Sequence, residues 1–128
     1  MNRRAFLAAG LLSSTALAPA AEAARKLTVV YIGGWDCEPC LRWKNNHKAQ
    51  WVASPEYKKV QWVEVDAPKL KEAYQARYWP DELKPVIEQL PRKSGTPRFL
   101  IVRDGKVLQN QFGGGTWPII LGDIRKHI

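Results

Sequence analysis

The chain holds two cysteines, Cys37 and Cys40, with Glu38-Pro39 between them. Thiols at that spacing can close a local disulfide or offer two soft ligands to a metal ion. Structural disulfides usually join distant segments, and one that closes so small a loop constrains the unfolded chain very little. Reversible redox chemistry therefore explains the pair better than stapling does. A metal site is the competing reading, because His47 follows Cys40 by about two helical turns and could join Cys37 and Cys40 around zinc or copper. A closed site needs a fourth ligand, and the other histidine, His127, lies at the extreme C-terminus. His47 reads better as a packed or boundary residue, and neither a metal nor a cofactor is expected.

Chemistry at Cys37 needs a scaffold that presents it. Residues 27–32 form a continuous β-branched and aromatic run ended by Gly33-Gly34, the pattern of a buried central strand. Across residues 38–52 there is no alternation, and Cys40, Trp43, His47 and Trp51 recur at helical spacing. Pro39 falls where a first-turn proline is tolerated. The cysteines thus open a helix that follows a strand and a glycine turn. Downstream, Ser54-Pro55-Glu56 reads as a cap and a short turn, residues 60–65 as a second strand and residues 69–78 as a helix. Pro80, Pro85 and Pro91 limit residues 79–94 to short helical pieces. Residues 99–102 are a third strand, Asp104-Gly105 a hairpin turn and residues 106–108 a fourth strand. Gly113-Gly114-Gly115 breaks that strand before a closing helix from Trp117. Those glycines lack the context of a phosphate loop, so a break is the better reading than an anion cradle. The order is β-α-β-α-β-β-α, an α/β domain.

The first 23 residues are read apart from that domain. Arg3-Arg4, an apolar or small stretch over residues 5–18 and Ala21-Glu22-Ala23 appear in the order of a cleavable export signal. The arginine pair before Phe6-Leu7 is similar to the twin-arginine export motif. The stretch is shorter than the roughly 20 residues that span a bilayer, so no permanent membrane span is expected. A periplasmic domain over residues 24–128 follows, with a net charge one unit below the +8 of the whole chain. Its lysines and arginines are spread along the sequence, which fits a solvated basic surface and not a nucleic-acid interface.

The cysteine motif, the element order and Gly95-Thr96-Pro97 ahead of a hairpin together resemble the thioredoxin superfamily, over nearly the whole chain from about Leu27 to His127. The resemblance implies a central mixed sheet flanked by helices and an exported thiol–disulfide oxidoreductase. Cys37 would be the nucleophile and Cys40 the resolving thiol, with Pro97 as the family's cis-proline beside them. Trp35, Asp36, Glu38, Pro39, Thr96 and Pro97 would support the pair or touch substrate. Protein dithiols and disulfides would be the partners, with an upstream redox protein as electron donor or acceptor. Three departures stand out. Thioredoxin places tryptophan directly before its first cysteine, where this chain has Asp36. It carries a buried aspartate six positions before that cysteine, where this chain has Tyr31. The span from Asp66 to Thr96 is also longer, which suggests a helical insert around residues 67–94.

The direction of electron flow rests on local charge. Asp36 and Glu38 flank Cys37, and negative charge beside a sulfur disfavours its thiolate and makes the couple more reducing. Arg42 and Arg98 oppose this. A reductase is the preferred expectation, with an oxidase or isomerase, or a non-catalytic metal- or partner-binding module, as alternatives. Among the six tryptophans, Trp43, Trp51 and Trp62 are expected in the core, while Trp79 and Trp117 lie near turns and fit either place.

Overall fold

A computed structural model describes residues 26–92 and 94–128, so the expected export signal over residues 1–23 lies outside the described residues. Four strands form one sheet: β1 (Thr28–Gly34), β2 (Gln61–Ala67), β3 (Arg98–Arg103) and β4 (Lys106–Phe112), in the order β2-β1-β3-β4. β1 runs parallel to β2 and antiparallel to β3, and β3 pairs antiparallel with β4. The sheet is therefore mixed, as expected. β1 is buried along nearly its whole length because it has a strand on each side and chain over both faces, which is why it reads as an unbroken apolar run. The β3–β4 connection turns at Asp104 (φ 52°) and Gly105 (φ 77°), the paired left-handed conformation that Asp-Gly tolerates best.

One face of the sheet is covered by two helical rods. The first comprises α1 (Glu38–Trp43), a π-helical stretch (Lys44–Lys48) and α2 (Ala49–Val52). The second is the closing helix, numbered α4 below (Trp117–His127). They bury Cys40, Trp43 and Trp51, and Trp117, Ile120 and Ile124, against Val29, Tyr31, Phe99 and Ile101. Trp43 stacks on Tyr31 at 5.3 Å between ring centres and meets Phe99 and Trp117, each at 5.1 Å. Trp62 is half-buried at the margin of this cluster. Each ring removes a large apolar area from water, and tilted contacts at these separations add to that gain.

The other face is covered by irregular chain. Residues 69–78, expected as a helix, make two 3₁₀ turns instead, Leu70–Glu72 and Ala76–Tyr78, parted by Gln75 in extended backbone (ψ 133°). The Trp79 indole donates to the Ala73 carbonyl at 2.8 Å, taking the acceptor that a continuing helix would have used. Pro80 further biases Trp79 towards the extended backbone it adopts (ψ 142°). A third turn, Asp81–Leu83, leads into α3 (Lys84–Ile87). Ala73, Trp79, Leu83 and Val86 pack on Val30, Ile32, Val65 and Leu100. Trp79 and Trp117 are thus both core residues.

Candidate active site

Cys37 is the N-cap of α1, with extended backbone (φ −98°, ψ 107°), and Cys40 lies in the first turn. The two are joined in a disulfide. Cys37 Sγ accepts the Cys40 backbone N–H at 3.2 Å. A helix start leaves such N–H groups without partners in the helix and carries partial positive charge, so a thiolate formed at Cys37 is stabilised there. Pro39 is exposed in the same turn, where it costs no helical hydrogen bond.

From across the site, the loop ahead of β3 brings Thr96 and Pro97. Their peptide bond is cis, and the Thr96 hydroxyl donates to Cys37 Sγ at 3.3 Å. Both cysteines are buried, Cys37 at 1% exposure and Cys40 at 0%. Thr96 is one of the groups that lie against the Cys37 sulfur.

The remaining predicted residues divide. Trp35 is 64% exposed beside the pair, a large apolar ring turned to solvent, while its backbone N–H is held by the Ala67 carbonyl. Asp36 accepts the Leu70 N–H at 2.7 Å and so ties the first 3₁₀ turn to the loop before the cysteines. Gly34 permits that approach, since a Cβ there would lie 2.5 Å from Leu70 Cα. Glu38 sits 3.8 Å from Arg42 in an exposed pair one turn apart. Arg98 is turned to Asn110, whose side-chain oxygen accepts its guanidinium at 2.5 Å, and over the Phe112 ring.

His47 lines a shallow groove with Pro39, Arg42, Trp43, Asn46, Gly114 and Gly115. Among the described residues, no three His, Cys, Asp or Glu side chains gather as a metal-binding group. Gly113 to Thr116 form the turn into α4, with the Thr116 hydroxyl donating to the Gly113 carbonyl at 2.7 Å.

Sequence reading passed over two ion pairs. Lys44, one turn beyond Cys40, is ion-paired with Asp66 of β2, while Lys48, a turn further, meets Glu64 at 2.8 Å. The i, i+4 lysines and the alternating carboxylates of β2 were the available signs.

A four-stranded mixed sheet, a helix opening on a Cys37–Cys40 disulfide and a cis-proline at the start of the antiparallel pair define the thioredoxin fold. A cysteine pair closed into a local disulfide at a helix start is chemically able to exchange with other thiols. Solved thioredoxins share the fold at low sequence identity. The protein of Fasciola hepatica is 22% identical, with a TM-score of 0.54 over 81% of this chain and 83% of its own. That of Malassezia sympodialis is 17% identical, with a TM-score of 0.56 over 84% and 82%. That of Nicotiana alata is 20% identical, with a TM-score of 0.56 over 90% and 86%. No family model and no curated sequence matches the chain.

Proposed function

We propose that this protein exchanges disulfides with exported proteins in the periplasm, acting as a reductase. The observation that carries the exchange reading is Cys37 at the helix start, its sulfur held by the Cys40 N–H and the Thr96 hydroxyl. Reduced Cys37 attacks a substrate disulfide, forming a mixed disulfide and releasing one substrate thiol. Cys40 then attacks Cys37 Sγ, the bond to substrate breaks, and the second substrate thiol leaves as the Cys37–Cys40 disulfide closes. An upstream redox protein returns two electrons to the pair. Trp35 supplies an apolar contact for the approaching chain.

The reducing direction is supported by Asp36 and Glu38, whose charge beside Cys37 disfavours its thiolate. The opposite direction, an oxidase or isomerase, is favoured by the two hydrogen bonds on Cys37 Sγ, which stabilise that thiolate. Equilibration with glutathione or dithiothreitol buffers decides between them. A potential at or below about −250 mV marks a reductant, and one between roughly −120 and −180 mV marks an oxidant or isomerase. The periplasmic location is supported by the charge, apolar run and small-residue order of residues 1–23. Fractionation and N-terminal sequencing test it: a mature chain beginning at Ala24 is expected, and an uncleaved cytoplasmic chain sinks it.

A further inference from the structure

On the sheet side of α1 lies a group that the exchange steps do not use. Tyr31 stands in the middle of β1 and is fully buried, and its hydroxyl has no hydrogen-bond partner among the described residues. A buried hydroxyl left unpaired is costly, and such groups call for a functional account. Gly33, two positions along the same strand face, shows where the oxygen sits. A Cβ on Gly33 would lie 2.1 Å from the Tyr31 oxygen and 3.1 Å from Cys40 Sγ. The phenol oxygen therefore occupies the place a side chain at residue 33 would take, with the Cys40 sulfur bordering the same place, an arrangement that requires glycine there.

We infer that Tyr31 activates Cys40: when the disulfide is reduced, the Tyr31 hydroxyl donates a hydrogen bond to the Cys40 sulfur and favours its thiolate. Opening the disulfide frees Cys40 Sγ from Cys37 and makes it a far better acceptor, most of all as an anion. In the resolving step the Cys40 thiolate attacks Cys37 Sγ, a new S–S bond forms, and the bond from Cys37 to substrate breaks. The electron pair leaves on the substrate sulfur, which ends as a thiol carrying the proton that Cys40 gave up to solvent. Tyr31 keeps its own proton throughout.

The surroundings suit a permanent donor. β2 places Glu64 and Asp66 on this face, the π-helical stretch places Lys44 and Lys48 there, and β3 contributes the uncharged Phe99. Lys44 Nζ lies 5.3 Å from the Tyr31 ring centre but is paired with Asp66. Burial, then the charges of Asp66 and Glu64, push the phenol well above its ordinary pKa, so it stays protonated.

The role rests on the exchange function proposed above, and one variant separates the two. In Tyr31→Phe, which keeps the ring and its stacking, the Cys40 pKa read by ¹³Cβ NMR of the reduced protein is expected to rise by about one unit, the size of one net hydrogen bond. Resolution of a glutathione mixed disulfide at Cys37 should slow roughly three-fold at neutral pH, because the scarcer thiolate is also more nucleophilic. The loss should disappear above the new pKa, while alkylation of Cys37 keeps its wild-type rate. An active wild type whose Cys40 titration is the same in Tyr31→Phe overturns the role of Tyr31 alone. A wild type that cannot exchange disulfides overturns both readings. The unsubstituted protein gives a second test, since the Tyr31 ¹³Cζ resonance should move on reduction and again as Cys40 titrates. A resonance indifferent to redox state overturns the inference without recourse to any variant.

Discussion

The two faces of the sheet are buried by different means. On one, helical rods lay Trp43, Trp51 and Trp117 over Tyr31 and Phe99, and the same rods carry Cys37 and Cys40. On the other, 3₁₀ turns and the short α3 place Trp79, Leu83 and Val86 over Val30, Ile32 and Leu100. Helices satisfy their own backbone, so the first face can spend its side chains on packing and chemistry. The irregular cover must borrow side chains to close its backbone, as the Trp79 indole does for Ala73 and the Tyr74 hydroxyl does for Gly95 at 2.6 Å. One face holds the reaction, and the other holds the sheet.

Breaking the first face should have the larger consequences. Cys37→Ser is expected to abolish exchange, and Cys40→Ser to accumulate mixed disulfides with substrates visible on non-reducing gels; full activity in Cys37→Ser would unseat the nucleophile. Trp43→Ala removes the ring that meets Tyr31, Phe99 and Trp117 and should cost about 3–5 kcal/mol in denaturant unfolding. On the opposite face, Trp79→Phe strands the buried Ala73 carbonyl and should cost about 1–3 kcal/mol while exchange rates stay unchanged. A drop in activity beyond the loss of folded protein would show that the two faces are coupled.

The smallest effect concerns the margin between α1 and β2. Burial raises the Glu64 carboxyl, but hydrogen bonds from Lys48 and the Trp62 indole, with the charges of Lys48 and Lys44, outweigh it and hold the group below its ordinary value. A carboxylate depressed in the folded state contributes stability above its unfolded pKa, near 4.3 for glutamate, and loses it as pH falls through the lower folded value. Unfolding of the wild type followed from pH 6 downward should show this acid-side loss, and Glu64→Gln should flatten that part of the curve. Equal slopes would mean that the pairs are solvated decoration.

Legibility in the sequence followed the same division. β1, the cysteine-bearing helix, the Asp104-Gly105 hairpin and α4 were all visible, because each rests on local periodicity or on a turn that few residue pairs can make. Residues 69–78 misled, since their composition favours a helix while the terms that decide, the Trp79 indole and Pro80, act from just beyond the window. At the site, spacing alone marked Cys37 and Cys40. The shielding of Cys37 by Thr96 depends on a contact between residues 59 positions apart, and Asp36 is drawn to Leu70 over 34. Pairings of that range leave no periodic trace.

The π-helical stretch at Lys44–Lys48 bears on how this chain tolerates change in length. Trp43 and Trp51 both strike the Trp117 ring, at 5.1 and 5.2 Å, although eight positions separate them. In an uninterrupted α-helix two turns hold about 7.2 residues, so the second tryptophan would swing away from the first. A wider turn absorbs the surplus residue. The rod thus carries a spare position, and removing Asn45 or Asn46 should tighten it to ordinary α geometry with both indoles still in place. A one-residue deletion inside a helix normally rotates everything beyond it off the core; here the surplus makes such a shortening survivable, and far-ultraviolet dichroism with thermal melting of the deletion variant reads the result.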